Sequence, residues 1–445
     1  MSKVGTEQLH QIVIVGGGAG GLELATKLGD TLGRKGKAAI TLVDKSKTHV
    51  WKPLLHEIAA GSMNPEKHEL VYLAQAHWHH FKFRLGSMDS LDRAKKEISI
   101  APNYDEDGVE VIPRRTIKYD TLVIAVGSTT NDFGVKGARE HSIALDTQDQ
   151  AEKFHRRLHN ALLRAQTQAE PVQAGQLEVV IVGAGATGVE LSAELHNTTR
   201  ELAAYGLDKI DPDRDVRISL IEASDRVLPA LPAKLSNSVD LELRKLRVHL
   251  YMGERVTEVT SKGVQTHSGR FIPSALVVWA AGIKAPDFLR EIDGLETNRI
   301  NQLIVKPTLQ TTLDESIFAF GDCAACPWVG HGQDVTVPPR AQSAHQQASM
   351  LVKTLKYRVA GKTDLPEFTY RDYGSLVNLG NYTTVGNLMG ALSGGSLFIE
   401  GLMARTMYQS LYKLHLMALH GFWSMALQTL ARLIARRTEA QVKLH

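Results

Sequence analysis

The chain has 445 residues, 43% of them hydrophobic and 22% charged, which reads as an ordinary globular protein long enough for two or three domains. A formal net charge of only +3 gives no global reason to expect nucleic acid as a partner. Two cysteines, Cys323 and Cys326, exclude a disulfide framework and fit a reducing compartment.

In chain order, the first residues lack the pattern of a cleaved signal, and no run reaches the roughly 18 apolar residues a spanning helix needs, so a cytoplasmic origin is expected. Residues 11–22, QIVIVGGGAGGL, form a β-branched strand that turns on Gly16, Gly18 and Gly21 into a helix-forming run. Residues 39–44, AITLVD, make the second strand of the unit and end in Asp44. Residues 118–128, KYDTLVIAVGS, return a strand to the sheet and close it with Gly127. A helix-rich stretch from Thr147 to Ala169 places the first interdomain crossing near residue 150.

The same plan then repeats 167 positions on. Residues 177–189, LEVVIVGAGATGV, carry Gly183, Gly185 and Gly188; residues 216–222 end in Glu222; residues 271–283 end a strand in Gly282. A G-x-G-x-x-G between strand and helix is a dinucleotide phosphate site, because the glycines permit the turn, the approach of the pyrophosphate and close helix–strand packing. Helix N-terminal N–H groups then meet the phosphate, and the acid ending the second strand accepts from a ribose hydroxyl. Two complete units predict two bound dinucleotides. The acids follow their middle glycines by 26 and 37 residues, more than the usual roughly 20, which implies longer helices or an insertion around Asn197 to Asp215. A later strand, Ile317 to Phe320, ends in Gly321 and Asp322. Asp322 suits either a hydrogen bond to a ligand in the crevice or a cap on the next helix.

Several segments beyond the glycines carry a family resemblance: WKPLLHEIAA at 51–60, GAGATGVELSAELHN at 183–197, VWAAGIKAPDFL at 278–289, GDCAACP at 321–327 and PPRAQSAHQQAS at 338–349. Through them the chain resembles, along essentially its whole length, the bacterial type II NADH:quinone oxidoreductases of the two-dinucleotide-binding flavoproteins. The resemblance implies an α/β fold with two Rossmann-like domains, the FAD domain discontinuous, and C-terminal amphipathic membrane-docking helices. It divides the chain into residues 1–150 and 286–350 for FAD, 151–285 for NADH, and 351–445 as a C-terminal domain with docking helices from about 401. Non-covalent FAD is implied at Gly16, Gly18, Ala19, Gly20 and Gly21, at Asp44, and at Lys52 and Pro53. Ala125, Gly127, Gly321, Asp322 and Ala341 complete that site. NADH as substrate is implied at Gly183, Gly185, Thr187, Gly188, Glu222 and Gly282, with Glu190 close to where nicotinamide meets flavin. Gln342 and Gln346, four apart on one helical face, are implied where a membrane quinone, ubiquinone or menaquinone, meets the flavin; amides donate to a carbonyl without burying a charge. His345 lies one position off that face.

Glu222 predicts NADH over NADPH, since an acid repels a 2′-phosphate, with Arg226 as the counter-argument. The C-x-x-C at Cys323 lies where related disulfide reductases do not keep their pair, and it argues for packing over dithiol chemistry. His77, His79 and His80 read as a polar stretch and not a metal site. Six lysines and arginines stand against Glu439 alone beyond residue 400, so this tail carries +5 and the rest −2. Met403, Met407, Leu411, Leu414 and Ala418 form one apolar face; Phe422, Met425, Leu430, Leu433 and Ile434 suit a second short helix beyond Gly421. Cations with aromatic surface suit a membrane interface. Expected partners are therefore quinone and the membrane surface, with a homodimer left open, on the cytoplasmic face of the bacterial inner membrane. The enzymatic alternative is a reductase of a soluble acceptor, and the non-enzymatic one a redox-signalling flavoprotein.

Overall fold

The computed structural model describes residues 9–332, 334–380, 382–390, 395–422, 425–427 and 429–430. The chain divides into two compact units. The first comprises residues 1–51, 69–129 and 283–370, and the second residues 52–68, 130–282 and 371–445. The crossings fall at 129/130, 282/283 and 370/371, beside expected ones near 150, 285 and 350, and the short segment 52–68 belongs to the second unit.

Each unit is built on a five-stranded parallel sheet. In the first the order is Ile317–Ala319, Thr121–Ile124, His10–Val15, Ala38–Asp44, Lys82–Leu85. In the second it is Ile143–Ala144, Leu276–Trp279, Glu178–Val182, Arg217–Glu222, His249–Met252. The central strands are buried on both faces, as β-branched parallel strands under helices must be; Ile12, Ile14, Val180 and Ile181 have no exposed surface. In both sheets the fingerprint strand lies at the centre, and its carboxyl end opens the helix Ala19–Leu28 or Ala186–Ala204. The long spacing to Glu222 has a simple cause. That second helix runs 19 residues, and a turn-rich stretch follows it before the next strand.

The first unit is closed by the helix Ala341–Val359, which packs on Ala19–Leu28. The second carries the antiparallel sheet Gly374–Leu379, Thr383–Gly390, Gly395–Glu400 and then the helix Gly401–His420, stopped at Gly421 with φ +79°. On that last helix Ala404, His415, Leu416 and Leu419 are buried while Leu402, Met403, Leu411 and Leu414 are exposed. Leu433 and Ile434 of the expected second helix, with Arg432, Arg436, Arg437 and Lys443, lie outside the described residues.

Candidate functional site

The two fingerprint loops share one geometry. Gly16 and Gly183 sit at φ +102° and +104°, and a Cβ there would meet the main chain of Ala125 and Val126, or of Ala280 and Ala281, at under 3 Å. Gly21 and Gly188 face the carbonyls of Gly16 and Gly183, where a Cβ would lie 1.9 and 2.0 Å from oxygen. These four glycines therefore make the turn and the helix–strand contact. Gly18 and Gly185 have open space where a Cβ would be, which leaves the approach to the helix end clear.

Both helix ends lack a side-chain cap and an acid in the first turn. By contrast the helix Gln148–Thr167 closes its own with a full capping box from Thr147 and Gln150. The N–H groups behind Ala19, Gly20 and Thr187 are thus left to an anion, the fit a dinucleotide pyrophosphate requires.

The two acids are anchored alike. Asp44 accepts from the N–H of Gly17 at 2.6 Å and of Ser46 at 2.8 Å; Glu222 accepts from Ala184 at 2.8 Å and Ser224 at 2.9 Å. Two backbone donors hold each carboxylate at the strand end and leave acceptor capacity for a ribose. Burial raises the Asp44 carboxyl, against the pull of those donors. Arg226 donates to the carbonyls of Pro229 and Leu231 at 2.9 and 3.2 Å, so it braces its own loop.

The first loop has a clamp that local sequence did not signal. The carbonyl of Gly17 accepts the Tyr72 hydroxyl at 2.7 Å and lies 3.0 Å from Nδ1 of His49. Both side chains are buried, and Tyr72 stacks on Phe83 with centroids 5.0 Å apart. Burial drives the His49 ring down to about 4, so it is neutral and holds its proton on Nδ1 as donor; burial and the Asp44 charge keep Tyr72 protonated. Two side-chain donors thus fix the orientation of this carbonyl.

Around the far edge of the first sheet, Asp322 accepts from the Ser128 hydroxyl at 2.8 Å, and its own carbonyl accepts from Gln302 at 2.9 Å. Gly321, at φ +73°, donates its N–H to Gln347 Oε1 at 2.8 Å. Gln347 thus fixes the Asp322 turn, while Gln342 and Gln346 are half-buried on another side of the same helix. Ala125 donates to Val15 at 2.7 Å, and Gly127 turns the chain at φ +68°. Burial pushes both thiols, Cys323 and Cys326, up to about 12, the opposite of an attacking thiolate.

Lys52 and Pro53 belong to the second unit, where Lys52 pairs with Asp146 at 3.1 Å and the Pro53 carbonyl takes a hydrogen bond from His56. Glu190 is also there, buried, accepting from the Asn378 N–H at 3.0 Å with His56 Nδ1 at 3.7 Å. Burial, with Glu57 and Glu194 nearby, raises Glu190 to about 8; burial and Glu194 raise Glu57 to about 8, and burial lowers His56 to about 4. At neutral pH Glu190 is therefore a neutral, proton-bearing carboxyl. Glu194, four residues on, shares its helical face and was visible in the spacing; Glu57 was not. Gly282, at φ +65°, accepts from the Asn131 N–H at 3.2 Å and packs on Phe133. No group of three histidine, cysteine or acidic side chains is placed to hold a metal among the described residues.

The family described as pyridine nucleotide-disulphide oxidoreductase matches residues 10–348. A type II NADH:quinone oxidoreductase of Haemophilus influenzae is 42% identical over 98% of this chain and 100% of its own length. One from Staphylococcus aureus is 27% identical over 85% of this chain and 90% of its own. Among solved structures, Plasmodium falciparum NDH2 in complex with NADH is 18% identical, covers 98% of this chain and 100% of its own, and superposes with a TM-score of 0.81. The sulfide:quinone oxidoreductase of Aquifex aeolicus, 17% identical over 97% and 96%, reaches 0.70. These two likenesses speak for the fold alone.

Proposed function

The chain belongs to the pyridine nucleotide-disulphide oxidoreductases and, within them, to the type II NADH:quinone oxidoreductases, and from that premise we propose how its parts divide the work. The enzyme oxidises NADH with FAD as cofactor and reduces a quinone in the respiratory chain, without proton pumping; among the described residues no helix is long and apolar enough to cross a membrane. FAD, when bound, supplies a hydride acceptor for nicotinamide and a two-electron donor for quinone.

The first loop, residues 16–21, with Asp44, Ala125, Gly127, Gly321, Asp322 and Ala341, would hold FAD. Residues 183–188 with Glu222 would hold NADH. The observation that carries this is the pair of uncapped helix ends, each beside an acid anchored by two backbone N–H groups. Glu222 orients the free ribose hydroxyl and disfavours a 2′-phosphate, and Arg226 is already spent on its own loop. Glu190 is a positioning residue on the coenzyme unit, where a neutral buried carboxyl can donate or accept without a buried charge. Gln342 and Gln346 present amides that orient quinone carbonyls.

The protein docks peripherally on the cytoplasmic face of the bacterial inner membrane through the exposed apolar side of Gly401–His420. Leu402, Met403, Leu411 and Leu414 project from it beside Lys413, while the opposite side is buried in the second unit.

The test is NADH oxidation by FAD-loaded protein on anionic vesicles, with and without a short-chain ubiquinone. Rapid turnover only with quinone is expected, and Leu411→Glu with Leu414→Glu should release the protein from sedimenting vesicles while its FAD stays bound. Fast flavin reduction with no quinone-dependent turnover would transfer the reading to a soluble acceptor. Vesicle binding unchanged in the double variant would remove this helix as the anchor.

A further inference from the structure

The reaction leaves one proton without a named donor. NADH, quinone and one proton give NAD⁺ and quinol. The hydride brings the electron pair and one of the two protons on the quinol, and the other must come from water. Gln342 and Gln346 can orient a carbonyl, but an amide has no proton to give at neutral pH.

The same helix carries an acid. His345 is three residues after Gln342 and one before Gln346, so all three side chains leave adjacent sides of the first two turns. Nδ1 of His345 is hydrogen-bonded to Glu23 Oε2, on the helix that the first fingerprint opens. Glu23 also accepts from Lys27 and, at 3.2 Å, from the Ser349 hydroxyl; Lys27 reaches Ser349 at 3.3 Å. Burial alone would raise the Glu23 carboxyl, but the bonds from His345 and Lys27 and their charges hold it below the ordinary value, so it is ionised. The Glu23 side chain is only 3% exposed, whereas His345 is 26% exposed. A buried carboxylate thus grips one nitrogen of a ring that is itself partly exposed. Such a pair fixes a proton on Nδ1 and makes Nε2 the nitrogen that exchanges a proton.

We propose that His345, oriented by Glu23, is the acid that delivers the solvent-derived proton to the quinone. The inference rests on the reading that this helix meets the quinone. As the electron pair arrives, the Nε2–H bond of the imidazolium breaks and an O–H bond forms on one quinone oxygen; the second oxygen takes the proton that came with the hydride. His345 recovers its proton from water, so one proton is consumed per turnover. Glu23 is a positioning residue. Charged and titratable groups around the ring include Glu23 and Lys27 on the fingerprint helix and His49 on the strand after Asp44.

The experiment compares His345→Gln with the natural protein in two acceptors, both FAD-loaded. Ferricyanide takes electrons without protons; quinone takes both. His345→Gln should keep ferricyanide reduction and lose about 100-fold in quinone kcat at pH 8, the low end of general-acid effects. Its quinone pH profile should also differ from the natural protein's, because the proton donor is gone. Glu23→Gln, which weakens the hold on Nδ1, should lower quinone kcat and leave ferricyanide reduction unchanged. Equal loss with both acceptors would make His345 structural, and a quinone profile identical to the natural protein's would remove it as donor; either overturns the inference. Gln342→Ala and Gln346→Ala separate the two levels. A raised quinone KM in these variants with a silent His345→Gln sinks only the proton donor. An unchanged KM in both sinks the quinone helix itself.

Discussion

The two fingerprint loops differ in what holds the carbonyl of their second residue. In the first, the Gly17 carbonyl is held by two buried side chains, Tyr72 and His49; in the second, the Ala184 carbonyl accepts the backbone N–H of Leu228 at 2.8 Å. Gly17 has to be glycine, since a Cβ would lie 2.5 Å from the Tyr72 hydroxyl, while Ala184 carries its methyl fully buried. The same turn, helix end and acid anchor are thus supported from outside in one unit and by the neighbouring loop's main chain in the other. The first arrangement suits a resident cofactor, because its support comes from side chains locked in a core. The second keeps the acid, the loop after it and the turn as one local piece that a passing coenzyme can engage.

The largest effect should come where the loops are alike. Gly21→Ala and Gly188→Ala each drive a methyl into a backbone carbonyl, an overpacking of about 1–3 kcal/mol or up to about a hundredfold in affinity. Gly21→Ala should purify largely without flavin absorbance. Gly188→Ala should keep its flavin and show a steeply raised KM for NADH, and loss of both ligands in either variant would break the independence of the loops.

A smaller effect sharpens the coenzyme side. Glu222→Gln removes the charge that rejects a 2′-phosphate and weakens a charge-assisted bond, worth about 1.5–3 kcal/mol. The ratio of kcat/KM for NADH over NADPH should fall about tenfold or more with FAD content intact; an unchanged ratio would show that discrimination lies elsewhere.

Smallest is Tyr72→Phe, which removes one of two donors on Gly17. The loss of about 1 kcal/mol should weaken FAD binding to apoprotein about fivefold and leave the NADH KM alone. Full affinity in that variant would mean the clamp contributes packing only.

The parts of the site legible in the sequence were those whose geometry is local. A turn between strand and helix and an acid at a strand end are properties of consecutive residues, so both loops, Asp44 and Glu222 could be read directly. Spacing gives Gln342 and Gln346 only a shared helical face, and their role comes from the family resemblance. The clamp could not, because Tyr72 lies 55 residues from Gly17. Nor could Glu23 with His345, 322 residues apart, although each sits in a recognised motif. Lys52 and Pro53 were taken from the family resemblance alone, and the segment that carries them, residues 52–68, belongs to the second unit. Arg226 stood as a counter-argument to NADH by its spacing from Glu222, and its bonds to Pro229 and Leu231 could not be read from that spacing.

The outer strand of the first sheet has a consequence for biosynthesis. Its partner strand ends at Ile124, but Ile317–Ala319 emerges only after the whole intervening unit has been made. At the roughly 5–20 residues per second of translation, that gap lasts about 10 to 40 s. Until it closes, the strand Thr121–Ile124 has an open edge, and Asp322 has not yet left the ribosome. With Asp322 in the proposed flavin site, flavin capture would be a late event in the life of the nascent chain, and a pool of chain stalled before residue 317 would display an unpaired parallel edge to the quality-control machinery.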